Sequence, residues 1–136
     1  MKIEVQRKVN INIDELWKVV GNFFKTPGKG IVIEQVQSKD DPGGKNIRSI
    51  SFGRIKVTEE LVEITDNYSF TYSILKGSPT KYYTGKCQLS TEGDETLIIW
   101  SGNFIPTIPL IGWLMKIISK RNINMYINAA TKPLLK

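Results

Sequence analysis

Histidine is absent from this 136-residue chain, and cysteine occurs only once, at position 87. Without histidine, Ser-His-Asp and Cys-His catalysis and histidine-ligated metal sites are excluded. A single cysteine can form neither a disulfide within the chain nor a thiolate metal cluster. We interpret Cys87 as a small buried hydrophobic residue, since no histidine is present to activate it. The composition leaves few catalytic groups, and no metal or cofactor is expected.

Long apolar runs are also missing. The longest one, Ile108 to Met115, is far shorter than the roughly 20 residues that a membrane-spanning helix needs. The sequence does not open on a basic segment followed by an apolar one, so we expect no signal peptide and a cytoplasmic location. The length and the 40% content of hydrophobic residues predict one domain over residues 1–136 with a real core.

Acidic residues disappear after Glu95, whereas cations continue to the end of the sequence. The formal net charge is +6, and five cations follow Glu95: Lys116, Lys120, Arg121, Lys132 and Lys136. One interpretation is attraction to anionic lipid or nucleic acid. The preferred one is a solvated helix face with cations favoured near its C-terminus. Nucleic acid is not an expected partner, because no stacking aromatic residues interleave with the cations.

A β-hairpin is predicted over Asn46 to Leu61, folded about Gly53-Arg54, a pair that suits a type II′ turn. The register opposes Phe52 to Ile55, Ile50 to Val57 and Arg48 to Glu59 on an apolar face, and Ser49 to Thr58 and Ser51 to Lys56 on a solvent face. The apolar face thus ends in a guanidinium opposite a carboxylate. This pair suggests a lined cavity rather than a dry core.

Other segments give clear signals of strand or helix. Strands are predicted at residues 2–9, 31–36, 68–75, 83–90 and 96–104 from alternating apolar residues. Arg7 interrupts the apolar face of the first strand, where it pairs with an acid or lies at a frayed end. A helix begins at the N-cap Asn12, with Glu15 as the capping-box partner, and ends at Thr26-Pro27-Gly28.

A C-terminal amphipathic helix is predicted from about Pro109. Its apolar stripe consists of Ile111, Leu114, Ile118, Met125 and Ala129, and a kink near Asn122 and Asn124 is compatible with the pattern. The segment Ile105 to Ile118 has two interpretations. It dips into a membrane interface during lipid exchange, or it packs inward as the lid of the cavity and the start of the helix. The inward interpretation is preferred.

The order of elements is a strand, a helix, six strands in a meander and a long C-terminal helix. Motifs along the chain agree with it: Ile13…Leu16-Trp17…Val20, Gly44…Arg48, Val57-Thr58-Glu59-Glu60-Leu61, Pro79…Tyr83 and Trp100…Phe104-Ile105-Pro106. On these motifs the sequence resembles the START-like (SRPBCC) superfamily, the polyketide cyclase/dehydrase and lipid-transport group that includes Bet v 1-type proteins. The resemblance implies an α+β helix-grip fold, in which a curved antiparallel sheet wraps the C-terminal helix around an apolar cavity.

In the family the glutamate of the Thr-Glu-x-Leu segment often faces the cavity, which here is Glu59, and Tyr83 falls where related receptors place a ligand-contacting tyrosine. The gate-loop motifs of hormone receptors are absent. The predicted ligand-binding residues are Arg48, Glu59, Tyr72, Tyr83, Trp100, Leu114 and Ile118.

The expected function is to bind, and in one version also to transport, a small hydrophobic ligand such as a lipid, an isoprenoid or a polyketide-like compound. The protein is expected to be a monomer or a homodimer. The alternative is a metal-free cyclase or dehydratase. In that enzyme Glu59 is the candidate general base, and Arg48, Tyr72 or Tyr83 stabilises oxyanion charge.

Overall fold

In the computed structural model, which describes residues 1–135, seven strands and two α-helices follow one another along the chain. They are β1 (Lys2–Val9), α1 (Ile13–Val20), β2 (Ile31–Gln37), β3 (Ile47–Phe52), β4 (Ile55–Thr65), β5 (Ser69–Lys76), β6 (Thr80–Glu92), β7 (Glu95–Pro106) and α2 (Gly112–Thr131). Short 3₁₀ turns at Pro109–Ile111 and Lys132–Leu134 flank α2. All strand pairs are antiparallel, in the order β1-β7-β6-β5-β4-β3-β2. The helix-grip expectation is confirmed.

The β3–β4 hairpin has the predicted register at every opposed pair. Gly53 has φ of +64°, and Arg54 is not in the left-handed region, as a type II′ turn requires. The outer face differs from the prediction, because Ser49 and Thr58 are buried. Their β2 and β5 neighbours in the register are Glu34 and Lys76. Short side chains in the interior of a sheet are easily covered by such longer neighbours.

Helix α1 begins as predicted, since Oδ1 of Asn12 accepts hydrogen bonds from the backbone N–H groups of Asp14 (2.9 Å) and Glu15 (3.4 Å). It ends at Val20, several residues before the predicted stop. Gly21 and Asn22 are poor helix formers, and Oδ1 of Asn22 accepts a hydrogen bond from the N–H of Phe24. A local side-chain hydrogen bond of this kind competes with continuation of the helix.

Helix α2 presents a different face to the sheet from the one predicted. Its buried residues include Gly112, Met115, Ser119, Ile123, Tyr126 and Ile127, whereas Leu114 is 40% exposed. Four predicted positions, 111, 114, 118 and 125, each lie one residue before the buried positions 112, 115, 119 and 126, whereas the fifth, Ala129, is buried as predicted. The helix is continuous through Asn122 and Asn124.

One polar contact fixes the helix against the edge of the sheet. Arg7 lies on the inner face of β1, and its guanidinium donates to Oδ1 of Asn124 and of Asn128. The predicted acidic partner and the frayed strand end are therefore both wrong. The two amides are four residues apart, so they share one face of α2.

The cations of the C-terminal segment are not concentrated at the end of α2. Lys116, Lys120 and Arg121 lie in its first ten residues, and the latter two are exposed. The helix dipole acts only within the terminal turns, so it does not explain their position. Lys136 lies outside the described residues. Among residues 1–135, no helix is long and apolar enough to cross a membrane.

Candidate functional site

A cavity of about 230 Å³ separates the concave face of the sheet from α2. The β3–β4 hairpin, β5, β6 and β7 form one wall, and α2 forms the other. Its lining is mainly apolar and includes Ile50, Val57, Ile74, Trp100, Met115, Ile118 and Ile123, with polar groups from Arg48, Glu59, Tyr72, Tyr83, Ser119, Asn122 and Tyr126. An apolar pocket with a few convergent polar groups is typical of a small-molecule site.

Arg48 and Glu59 form the buried polar end of this cavity, with only 1% and 6% of their surfaces exposed. Oε1 of Glu59 accepts from Nε of Arg48 at 2.9 Å and lies 2.9 Å from its Nη2. Nη1 of Arg48 donates to the backbone carbonyl of Phe23 at 2.9 Å, and the ring of Phe23 lies 4.1 Å from the guanidinium carbon. These contacts use three of the five guanidinium N–H groups.

The ion pair keeps the guanidinium of Arg48 charged in spite of its burial. Burial is the largest single influence and lowers the pKa of Arg48, but the charge and hydrogen bond of Glu59, together with Tyr126 and Tyr72, more than offset it, so the pKa of Arg48 is raised. Separating two buried charges is costly, whereas a paired and hydrogen-bonded arrangement is tolerated. The cavity therefore ends in a fixed cation whose remaining N–H groups can meet an acceptor atom.

Two tyrosines lie flat along the sheet because glycines make room for them. Tyr72 accepts a hydrogen bond from Nε1 of Trp100 at 3.0 Å, and Tyr83 stacks on Phe104 with ring centroids 5.6 Å apart. A Cβ at Gly85 would lie 2.2 Å from the ring of Tyr72, and one at Gly102 would lie 2.6 Å from the hydroxyl of Tyr83. The two glycines oppose each other in the β6–β7 register.

Burial raises the pKa of both tyrosines, and it raises the pKa of Tyr126 to about 12. These hydroxyls therefore stay protonated at neutral pH and remain available as hydrogen-bond donors. Burial also raises the pKa of Cys87, which does not line the cavity. A thiol that remains protonated in this way is a poor nucleophile.

Two buried polar atoms lack a hydrogen-bond partner among residues 1–135, and both belong to residues that line the cavity. They are Oδ1 of Asn122 and the hydroxyl oxygen of Tyr126. Buried polar atoms are nearly always satisfied in folded proteins, so each such atom calls for an explanation. The guanidinium of Arg48 faces the same ring, 5.9 Å from its centroid, and its nearness lowers the pKa of the Tyr126 hydroxyl against the larger effect of burial, although no contact between them meets hydrogen-bond geometry.

The structure places six of the seven predicted site residues in the cavity wall: Arg48, Glu59, Tyr72, Tyr83, Trp100 and Ile118. Leu114 is not among the lining residues and lies on the exposed side of α2. Sequence reasoning missed the polar residues of the helix, above all Ser119, Asn122 and Tyr126. Their spacing of three, four and seven residues marks one helix face, but hydrophobicity alone selected the adjacent one. Contact of any of these residues with a ligand remains a prediction.

The opening of the cavity lies where its lining becomes partly exposed. Phe52 and Ile55 at the tip of the hairpin, the 77–79 loop and Ile118 are half-buried or exposed. The 77–79 loop is tied to the segment that precedes α2, because the backbone N–H and the hydroxyl of Thr107 both donate to the carbonyl of Pro79 at 3.0 Å.

Comparison with known proteins agrees with this geometry. No curated protein matches the sequence significantly. A Bacillus thuringiensis protein has 20% identity and a TM-score of 0.80, with 100% of both chains covered. A START superfamily protein from Mycobacterium smegmatis has 12% identity and a TM-score of 0.76, covering 98% of this chain and 96% of that one. Norcoclaurine synthase from Thalictrum has 15% identity and a TM-score of 0.75, covering 98% and 93%. At these identities the likeness shows the fold alone.

The family model described as polyketide cyclase / dehydrase and lipid transport matches residues 1–129. This match spans every strand, α1 and nearly all of α2. The family has a ligand-binding fold, and the cavity described above lies between the sheet and α2. The chain therefore belongs to the polyketide cyclase/dehydrase and lipid transport family, whose START-like and Bet v 1-like fold it shares.

Proposed function

We propose that the protein binds and carries a small, mainly apolar molecule with one polar end, held in the cavity between the sheet and α2. The observation that carries this proposal is the buried polar end of an otherwise apolar cavity. Arg48 keeps N–H groups that neither Glu59 nor Phe23 uses, and it faces the ring of Tyr126. The same cavity is lined by the Tyr126 hydroxyl and the Asn122 amide oxygen, neither of which has a partner in hydrogen-bond geometry among residues 1–135. A ligand oxygen that bears a hydrogen satisfies both an N–H donor and an amide acceptor.

The size of the cavity limits which ligands can fit. A volume of about 230 Å³ falls below the roughly 300–1,000 Å³ of typical drug-sized pockets. The ligand is therefore either a compact molecule or the end of a longer one whose remainder passes out through the opening at the hairpin tip and the 77–79 loop. Its polar group is a hydroxyl, a carboxyl or a similar oxygen function.

Tyr126→Phe is the sharpest test, because it removes only the partnerless hydroxyl and keeps the ring. We expect the variant to fold with unchanged or slightly higher stability, since a buried unsatisfied oxygen is lost. Its affinity for a co-purified ligand, or for the anionic apolar fluorophore anilinonaphthalene sulfonate, should fall by about fivefold to twentyfold, the loss of one buried hydrogen bond.

Native mass spectrometry of gently purified protein, followed by denaturation, identifies the co-purified molecule, and fluorescence titration measures the affinity. Tyr82→Phe is the matched control, because Tyr82 is exposed and does not line the cavity. Equal affinity of the two variants and the unmodified chain would reject the proposed site.

A second candidate function is a metal-free cyclase or dehydratase, favoured by one observation. The Glu59 carboxylate and the protonated hydroxyls of Tyr72 and Tyr83 line the same apolar cavity, and these are a base and two donors for oxyanion charge. The ion pair with Arg48 opposes this role, because it stabilises the carboxylate. Turnover of an aromatic polyketide-like substrate, abolished by Glu59→Gln, would support the enzyme over the carrier.

A further inference from the structure

An exposed apolar surface lies at the start of α2 and in the segment before it. Ile105, Ile108, Leu110, Trp113, Leu114 and Ile117 are all at least 40% exposed, with Leu110 at 83% and Trp113 at 63%. We call these six residues the apolar tip. Single exposed apolar residues are ordinary, but six within a stretch of 13 residues form a concentration of the kind that marks an interaction site. The preferred sequence interpretation, in which this segment packs inward, is wrong for these six residues.

The apolar tip extends onto β6. In the β6–β7 register Tyr82 lies opposite Ile105, and its side chain is 53% exposed. Trp113 and Tyr82 are the residue types that concentrate at membrane–water interfaces, because one end of each ring is apolar and the other is polar.

Cations lie directly behind the apolar tip on the same face of the helix. Lys120 follows Trp113 by seven residues, and Arg121 follows Leu114 by seven, so each pair shares one side of α2. Seven residues of helix span about 10 Å. An apolar helix face enters a bilayer to a depth of about 5–10 Å. Insertion of the tip would therefore bring Lys120 and Arg121 to the level of the lipid headgroups.

The charge of this region fits an anionic surface. No acidic residue occurs from residue 96 to the end of the sequence, so nothing within this segment neutralises Lys120 or Arg121. A second copy of the chain would bring the same cations to the interface, whereas anionic lipid brings the complementary charge.

We infer that the apolar tip docks the protein on an anionic membrane surface, with Leu110 and Trp113 inserted and with Lys120 and Arg121 on the headgroups. This docking is separate from ligand binding and holds whatever the cavity contains. It would nevertheless bring the cavity opening close to the bilayer, because Thr107 ties the segment to the 77–79 loop at that opening.

The test is sedimentation of the protein with vesicles of phosphatidylcholine alone, and with vesicles in which about a third of the lipid is phosphatidylserine. We expect binding to the anionic vesicles that weakens as salt is raised, together with a blue shift of tryptophan fluorescence. Leu110→Ser/Trp113→Ser should weaken this binding by at least about tenfold. Lys120→Glu/Arg121→Glu should remove the preference for phosphatidylserine.

Matched controls are Val36→Ser/Val62→Ser, exposed apolar residues on β2 and β4, and Lys18→Glu/Lys39→Glu, exposed cations elsewhere on the surface. Each control should bind vesicles as the unmodified chain does.

Absence of vesicle binding, or equal losses in control and test variants, would overturn the inference. It would also be overturned by a dimer in vesicle-free solution that Leu110→Ser/Trp113→Ser dissociates, since the apolar tip would then be an interface between copies. Ligand affinity of the apolar-tip variants, measured without vesicles, should be unchanged, which separates this result from failure of the cavity proposal.

Discussion

The β3–β4 hairpin and α2 form opposite walls of the same cavity, but sequence patterns predicted the hairpin more accurately than the helix. In the hairpin every predicted pair is present, down to Arg48 opposite Glu59. In α2 the buried face is one residue away from the predicted one, so that Ser119 and Tyr126 point inward while Leu114 is exposed. A strand has only two faces, and a turn of known length fixes the register. Successive side chains of a helix point about 100° apart, so a rotation about its axis changes which residues face inward, and that rotation depends on what the helix contacts.

Removal of Arg48 gives the largest expected effect and tests the hairpin wall. Arg48→Ala should lower the free energy of unfolding by about 3–5 kcal/mol, because Glu59 is left as an unpaired buried charge. Replacement of both partners by apolar residues, Arg48→Met/Glu59→Leu, should recover most of this loss. Urea denaturation of the three chains gives the comparison. If the double variant were as unstable as Arg48→Ala, the damage would arise from packing rather than from the unpaired charge.

A pair of adjacent substitutions decides the orientation of α2. Met115→Ala should cost about 2–4 kcal/mol, because Met115 is buried and truncation leaves a void. Leu114→Ala should change stability by less than about 1 kcal/mol, since Leu114 is substantially exposed. Thermal or chemical unfolding of both variants measures the difference. The reverse order of the two costs would restore the face predicted from hydrophobicity.

Gly85→Ala tests the fit of Tyr72 against the sheet. The added methyl group would lie 2.2 Å from the ring, so the ring must move, at a cost of about 1–3 kcal/mol. Near-ultraviolet circular dichroism should change as well, because Tyr72 contacts Trp100 and Phe70. Thr84→Ala, at the adjacent position on the same strand, serves as the control and should leave the aromatic signal intact.

The last expected effect, a loss of stability, appears only at high pH. The pKa of Tyr126 is raised from 10.0 to about 12 in the folded chain, so between these values the unfolded chain loses its proton first. Stability should be independent of this group below pH about 10 and should then fall, by up to about 1.4 kcal/mol per pH unit. Unfolding by urea over this range measures the slope, and Tyr126→Phe should make it shallower. An identical slope in the variant would show that this hydroxyl is not responsible.

Some of the site could be predicted from the sequence because local rules determined it. Alternation placed Tyr72, Tyr83 and Trp100 on the inner face of the sheet, and the turn at Gly53 fixed Arg48 opposite Glu59. The polar residues of α2 could not be found in the same way. A search for the most apolar face assumes a dry core, whereas this helix borders a cavity, and its inner face therefore carries Ser119, Asn122 and Tyr126.

Arg7, at the edge of the sheet, shows the same limit of prediction from local sequence. Its position on the inner face of β1 followed from alternation, but its partners, Asn124 and Asn128, are more than a hundred residues away. Nothing in the local sequence identifies them, since a guanidinium can donate to a carboxylate oxygen or to an amide oxygen. Only the packing of α2 across the sheet selects the amides.

Local sequence patterns were enough to predict the strands, their turns and the register of the hairpin, because alternation and turn chemistry act over a few residues. The sequence by itself also determined the basic, acid-free character of the C-terminal segment. Tertiary structure decided the rotation of α2, and with it which side chains line the cavity and which form the apolar tip. The physical reason is that a helix with apolar residues on several sides has no single preferred face until the sheet and the cavity select one.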